Sequence, residues 1–247
     1  PNYDYQIYQQ RENEPMSAYY YYNVTGIINT DRSNMPESQK TLQAEAQLPG
    51  CPIIEDKNKD GKIDENDVYM KDNSPAIYVG IGNTFTYKRF EFSFFMYGQF
   101  GIQKYNIAYS AAQAGPLAVD YPENSNKFAY RLWNSQTNPN GSRPGLAIGK
   151  MGALPGNAWV NADRENASFM RMRNITLAYN LAGNILGSLQ RYVRNIKVYV
   201  DAQNPFILTK FQGFDPEIYT GGGGASGGSR GEYPQTRTFS LGANITF

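Results

Sequence analysis

The chain has 247 residues, with 23 Lys or Arg against 22 Asp or Glu, and its net charge of +1 provides no electrostatic footprint for nucleic acid. It has no His and one Cys, which removes imidazole bases, His-dependent triads, zincin motifs, intrachain disulfides and thiolate metal sites. Its 20 Tyr, 13 Phe and 24 Gly suit β structure, and no stretch nears the roughly 18 apolar residues of a spanning helix, so any membrane segment must be a strand.

The chain opens on Pro1-Asn-Tyr-Asp4, without Met or a signal peptide, and reads as a piece of something longer. Tyr3 to Tyr8 is a weak strand candidate, and Tyr20, Tyr22, Val24, Gly26 and Ile28 a better one. A polar connection over 29–75 follows. Ile77, Val79, Ile81, Phe85 and Tyr87 then alternate with Tyr78, Gly80, Gly82, Thr84 and Thr86. After a tight link at Lys88-Arg89, Phe90, Phe92, Phe94, Met96 and Phe100 alternate with Glu91, Ser93, Phe95, Tyr97 and Gln99. A second long connection covers 108–167. Ile175, Leu177, Tyr179 and Leu181 form the next apolar stripe, and the link from Leu181 to Arg194 has room for a short helix. Ile196, Val198, Val200 and Ala202 alternate with Lys197, Tyr199, Asp201 and Gln203, before a third long connection over 204–235. Phe239, Leu241, Ala243, Ile245 and Phe247 close the chain as one face of a terminal strand. Period-2 alternation marks strands with one apolar and one polar side.

Short and long links alternate, as brief periplasmic turns and long extracellular loops do in a transmembrane barrel. Compact soluble domains rarely contain structureless connections beyond about 12–15 residues. With the C-terminus periplasmic, 29–75, 108–167 and 204–235 all fall outside the cell. About six good strands are present, whereas single-chain barrels begin at about eight, and an open edge in hydrocarbon strands its backbone groups. The expected fold class is therefore all-β: strands of a transmembrane antiparallel β-barrel that is larger than this chain, with long extracellular loops.

The sharpest motif is Asp56-Lys-Asn-Lys-Asp-Gly-Lys-Ile-Asp-Glu-Asn-Asp67. It fits a calcium loop with side-chain oxygens from Asp56, Asn58 and Asp60, a turn at Gly61, the Lys62 carbonyl, Asp64 directly or through water, and Asp67 last. Ile63 would pin the loop to a core. Asp67 is shorter than the usual Glu, so affinity is modest and Mg2+ competes with Ca2+; the alternative is a solvated Asx-rich turn without metal. Gly221 to Ser229 is a flexible loop tip and no phosphate loop, because no GK[ST] follows. The sequons at Asn23, Asn166, Asn174 and Asn244 are chance matches. Loop aromatics such as Tyr105, Tyr109, Tyr121, Phe128, Tyr130, Trp133 and Trp159 pack loops together more readily than they stack on ligands. No nucleophile–base pair or carboxylate dyad of fixed separation supports an enzyme.

Several segments, in order, resemble the C-terminal region of the SusC/RagA family of TonB-linked outer-membrane transporters. They are Pro15-Met-Ser-Ala-Tyr-Tyr20, Thr25-Gly-Ile-Ile28, the acidic loop from Asp56, Tyr78-Val-Gly-Ile-Gly-Asn-Thr-Phe85 and Phe90 to Gln99. Then come Phe169-Met-Arg-Met-Arg-Asn-Ile-Thr-Leu-Ala-Tyr179, Val198 to Asn204, Asp215-Pro-Glu217, Tyr233 to Gly242 and the terminal Phe247. Pro49-Gly-Cys51 stands where the family often has Pro-Gly-Asp. The resemblance implies that 1–247 is the C-terminal portion of a 22-stranded barrel, without its plug and N-terminal strands. It implies an outer-membrane importer of oligosaccharides or peptides, with a SusD-like lipoprotein over its long loops and energy relayed by TonB-ExbB-ExbD through the plug. Glu91, Tyr97, Gln99, Lys197, Tyr199 and Asp201 would then face the lumen, and the acidic loop would be a surface cation site. The alternative is a secreted β-sheet binding module with a dockerin-like calcium loop.

Overall fold

The computed structural model describes residues 13–15, 18–72, 74–106, 130–145, 154–155, 159–161, 164–182, 187–213, 215–217 and 235–247. Within them run strands β1 (Ala18–Tyr22), β2 (Val24–Ile27), β3 (Pro52–Ile54), β4 (Tyr69–Asp72), β5 (Ile77–Tyr87), β6 (Phe90–Phe100) and β7 (Gln103–Tyr105). They continue with β8 (Trp159–Val160), β9 (Arg164–Asn166), β10 (Phe169–Ala182), β11 (Asn195–Gln203), β12 (Ile207–Thr209) and β13 (Thr238–Thr246). The helical turns among these residues are short and 3-10 in type. The chain divides into one unit of Pro1–Ser74, Lys104–Glu165 and Tyr219–Gly231, and another of Pro75–Gln103, Asn166–Ile218 and Glu232–Phe247.

The second unit is an antiparallel sheet in the order β13-β11-β10-β6-β5, with β12 beside β10. β5 and β6 have 11 residues each, β10 has 14, and β11 and β13 have 9 each. All are long enough for a tilted bilayer crossing, which takes roughly 9–11 residues, and β10 exceeds it. Register follows the alternation: Phe85 faces Phe92, which faces Leu177, which faces Val200, which faces Leu241. A one-residue slip would carry every apolar side chain to the other face, so the pattern holds the register. One irregularity interrupts it, a bulge between Met172 and Asn174. The turn at Lys88-Arg89 and the link to β11, with a 3-10 turn at Gly187–Arg191, lie at one end of the sheet, and the long connections leave from the other.

The first unit departs from expectation. Tyr20 to Ile28 is not a spanning strand: it breaks at Asn23 into β1, which pairs with β4 and β8, and β2, which pairs with β3. The break is held by side chains, since the Asn23 amide donates to Glu55 and accepts from Asn161. The 29–75 connection also has a core, containing Ile28, Leu42, Ala46, Cys51, Ile54 and Ile63. Gln39 is fully buried at its centre, where Nε2 donates to the carbonyls of Ala46 (3.0 Å) and Pro52 (3.2 Å) and Oε1 accepts from Ile54 N (3.0 Å). Every polar atom of that amide finds a partner, as burial requires. Trp133 packs on Gly50, so this loop aromatic serves loop packing. Tyr3 to Tyr8, Tyr109, Tyr121, Phe128, Gly221 to Ser229 and much of 108–167 and 204–235 lie outside the described residues.

Candidate polar wall and cation loop

The two faces of the sheet differ in chemistry. On one, Leu241 is 83% exposed, Phe239 73%, Val200 52% and Leu177 44%. A contiguous apolar surface of this kind is unusual on a soluble monomer. At the short-link end it carries aromatics: Tyr87 is 69% exposed, Phe247 78%, and Phe90 packs on Tyr179 at 4.7 Å between ring centres. The opposite face holds the polar residues expected on it, Glu91, Tyr97, Gln99, Lys197, Tyr199 and Asp201, by register. Lys197 Nζ pairs with Glu91 Oε1 at 2.8 Å, and Thr176 donates to Asp201 Oδ1 at 2.6 Å. Tyr199 lies across Gly242, where a Cβ would meet the end of its ring at 2.5 Å, so a larger residue there would push the ring aside.

The acidic loop is preorganised by its own side chains. Asp56 Oδ2 accepts from Gly61 N (2.9 Å), Asn58 Oδ1 from Asp60 N (3.1 Å) and Asp60 Oδ1 from Lys62 N (2.9 Å). Gly61 has φ +86°, a region that glycine alone enters freely. Ile63 is 4% exposed and joins the core, in the pinning role expected of it. Asp64 caps the 3-10 turn Glu65–Asp67 and accepts from Asn66 N. Asp67 is fully buried: Oδ1 accepts from Lys57 N (2.8 Å) and Oδ2 from Asp64 N (2.8 Å). Sequence reading assigned Asp67 to a cation and missed this anchoring, although Asp64-x-x-Asp67 has the spacing of a capping box.

The fit of a cation to this loop is partial. Asp56 Oδ1 is buried without a hydrogen-bond partner, as a ligand oxygen awaiting an ion would be. Burial, followed by the negative fields of Asp67, Glu65 and Asp64, raises the pKa of the neighbouring Tyr22 phenol. Among the described residues, however, no three Asp, Glu, Cys or His side chains converge closely enough to hold a metal.

A second cluster went unnoticed in the sequence. Arg171, whose side chain is 3% exposed, places Nη2 2.6 Å from Asp215 Oδ1 and Nε 2.7 Å from Glu217 Oε2. Arg173 Nη2 reaches Glu217 Oε1 at 3.1 Å, and the Tyr97 hydroxyl donates to the same oxygen. Two arginines at alternate strand positions, together with an Asp-Pro-Glu segment, were the available signal.

No family model matches the chain. It is 31% identical over 196 residues to the TonB-dependent receptor SusC of Bacteroides thetaiotaomicron, covering 78% of this chain and 17% of that protein. It is 30% identical over 226 residues to the TonB-dependent receptor P26 of Formosa agariphila, covering 85% and 21% respectively. With the receptor P3 of the same organism it shares 27% over 244 residues, covering 96% and 23%. In fold it matches the RagAB peptide transporter with a TM-score of 0.63 and 22% identity, over 93% of this chain and 22% of that one. The chain thus spans about a fifth of the length of its curated relatives. Sequence and fold together place it among TonB-dependent receptors of the SusC/RagA kind.

Proposed function

We propose that this chain forms part of the wall of an outer-membrane, TonB-dependent importer that takes up oligosaccharides or peptides under a SusD-like surface lipoprotein. The observation that carries the reading is the inverted polarity of the sheet. Its apolar face, with Leu241 83% exposed, is bare, while its polar face is cross-linked by Glu91–Lys197 and Thr176–Asp201. A barrel wall between lipid and an aqueous lumen needs that arrangement, with an aromatic girdle where the wall meets the interface. Among the described residues β5 and β13 each pair on one side only, and the rest of the barrel would satisfy those edges. The work of such a wall is gated passage without bond chemistry, with energy entering through a plug contacted by TonB.

Purification of the native protein from outer membranes in mild detergent, with peptide mapping, tests this. Plug peptides at one-to-one stoichiometry and a co-purifying lipoprotein are the expected result. A detergent-independent species near the 27.7 kDa of this chain would instead favour the secreted binding module.

The 56–67 loop belongs to the same reading as a cation brace. Asp56, Asn58, Asp60, Asp64 and Asp67, with the Lys62 carbonyl, would hold Ca2+ or Mg2+, and the ion would offset five carboxylates facing three lysines. The orphaned Asp56 Oδ1 supports it. Chelation should increase proteolysis of 29–75 several-fold, and Asp60→Ala should abolish that response while leaving the strands intact. Equal cleavage with and without chelator would remove the metal from the account.

A further inference from the structure

The polar face carries a built site that the wall reading does not use. Glu217 reaches it from the connection between β12 and β13 and lays one carboxylate against three donors on two strands: Arg171 and Arg173 of β10 and Tyr97 of β6. Arg171 and Arg173 stand at alternate positions of β10, so both guanidinium groups leave the same face of the strand, at the bulge between Met172 and Asn174. Arg173 also stands 5.1 Å from the Tyr97 ring centre. Forked guanidinium groups beside a hydroxyl form a receptor for a carboxylate.

The occupant is tethered. Asp215 Oδ1 accepts from Arg171 Nη2 (2.6 Å) and Glu217 N (2.9 Å), and Oδ2 accepts from Gln235 N (3.3 Å). One carboxylate therefore ties both ends of the 218–234 connection to β10. The occupant is also imperfectly held. Arg171 Nε and Glu217 Oε2 are at ion-pair distance but form no aligned hydrogen bond, and neither has another hydrogen-bond partner. Burial raises the Glu217 pKa, the direction of a carboxylate whose desolvation is not fully offset. The receptor is closed at Arg171 (3% exposed) and open at its rim, where Arg173 is 38% exposed and Glu217 18%.

We propose that Arg171, Arg173 and Tyr97 form a carboxylate-binding site on the polar face, that Glu217 fills it as a tethered internal ligand, and that a carboxylate-bearing solute exchanges with Glu217 there. The site rests on the reading of this face as lumenal only for its access to solutes. A tethered ligand acts at millimolar effective concentration, so a lone carboxylate competes poorly with intact Glu217 and a solute with further contacts competes well.

Hydrogen exchange of 204–217 in the full-length protein in detergent tests this without any measurement of uptake, so its failure is separate from failure of the importer reading. Glu217→Ala should raise exchange there about tenfold while β6, β10 and β11 stay protected. Acetate should restore most of the protection, and chloride at equal ionic strength should not. Glu217→Gln, whose amide fills the site, should show no rescue. Should Glu217→Ala not assemble, Asp215→Asn provides the test: the weakened tether lets acetate displace Glu217, and acetate raises exchange. Identical behaviour in acetate and chloride in the variant that assembles, or unchanged exchange in Glu217→Ala, overturns the proposal.

Discussion

Asp67 and Cys51 show how much of the first unit depends on single buried groups. Asp67 is fully buried and satisfies the amides of Lys57 and Asp64 at 2.8 Å each. Removing it leaves two part-buried amides without their acceptor, and each such loss costs about 1–3 kcal/mol. Asp67→Ala should therefore destabilise the 29–75 segment by about 3 kcal/mol even with chelator present, read as faster local proteolysis. Cys51 is fully buried with Sγ 3.3 Å from the Glu45 carbonyl, and burial pushes its thiol up to about 11. Its alkylation at pH 8 should be at least about a hundredfold slower in the folded protein than in urea. Because the folded state keeps this proton longer than the unfolded state, stability of the unit should fall as pH rises from the ordinary thiol value of 9.0 toward 11. A native thiol that alkylates as fast as the unfolded one would show that the 29–75 core is open.

The strands carry their information in alternation, and the two faces can be tested against each other. Leu177 lies in the middle of β10 on the apolar face, and Thr84 in β5 on the polar face. With the apolar face in lipid, Leu177→Arg should cost about 2–4 kcal/mol, whereas Thr84→Lys should stay within about 0.5 kcal/mol. Refolding into detergent micelles would measure both, and equal costs would contradict the assigned faces. The strands of this sheet were legible because a half-buried strand repeats every two residues over nine or more positions. The short elements of the first unit were not legible, because two- to five-residue strands held by Asn23, Gln39 and Asp67 leave no period to detect.

At the scale of the whole molecule, the bare apolar face and the edges β5 and β13, each paired on one side only among the described residues, make the sheet an incomplete structure in water. The 247-residue chain alone should therefore run as a monomer only in detergent and self-associate without it, as size-exclusion chromatography would reveal. A detergent-free monomer would mean that the apolar face is covered from within the chain. The all-β class, the meander of long strands, their polar and apolar faces, the acidic loop with its pinning Ile63 and the family were all legible in sequence. Each is written in local order, as periodicity, spacing or motif. Only the tertiary structure decided that Tyr20 to Ile28 breaks at Asn23, that 29–75 has a core around Gln39, and that Asp67 accepts from two backbone amides. It alone joined Glu217 to Arg171, Arg173 and Tyr97. Apart from the Asp64–Asp67 cap, whose spacing is local, these contacts link residues as many as 120 positions apart and depend on burial and register, which no local pattern encodes.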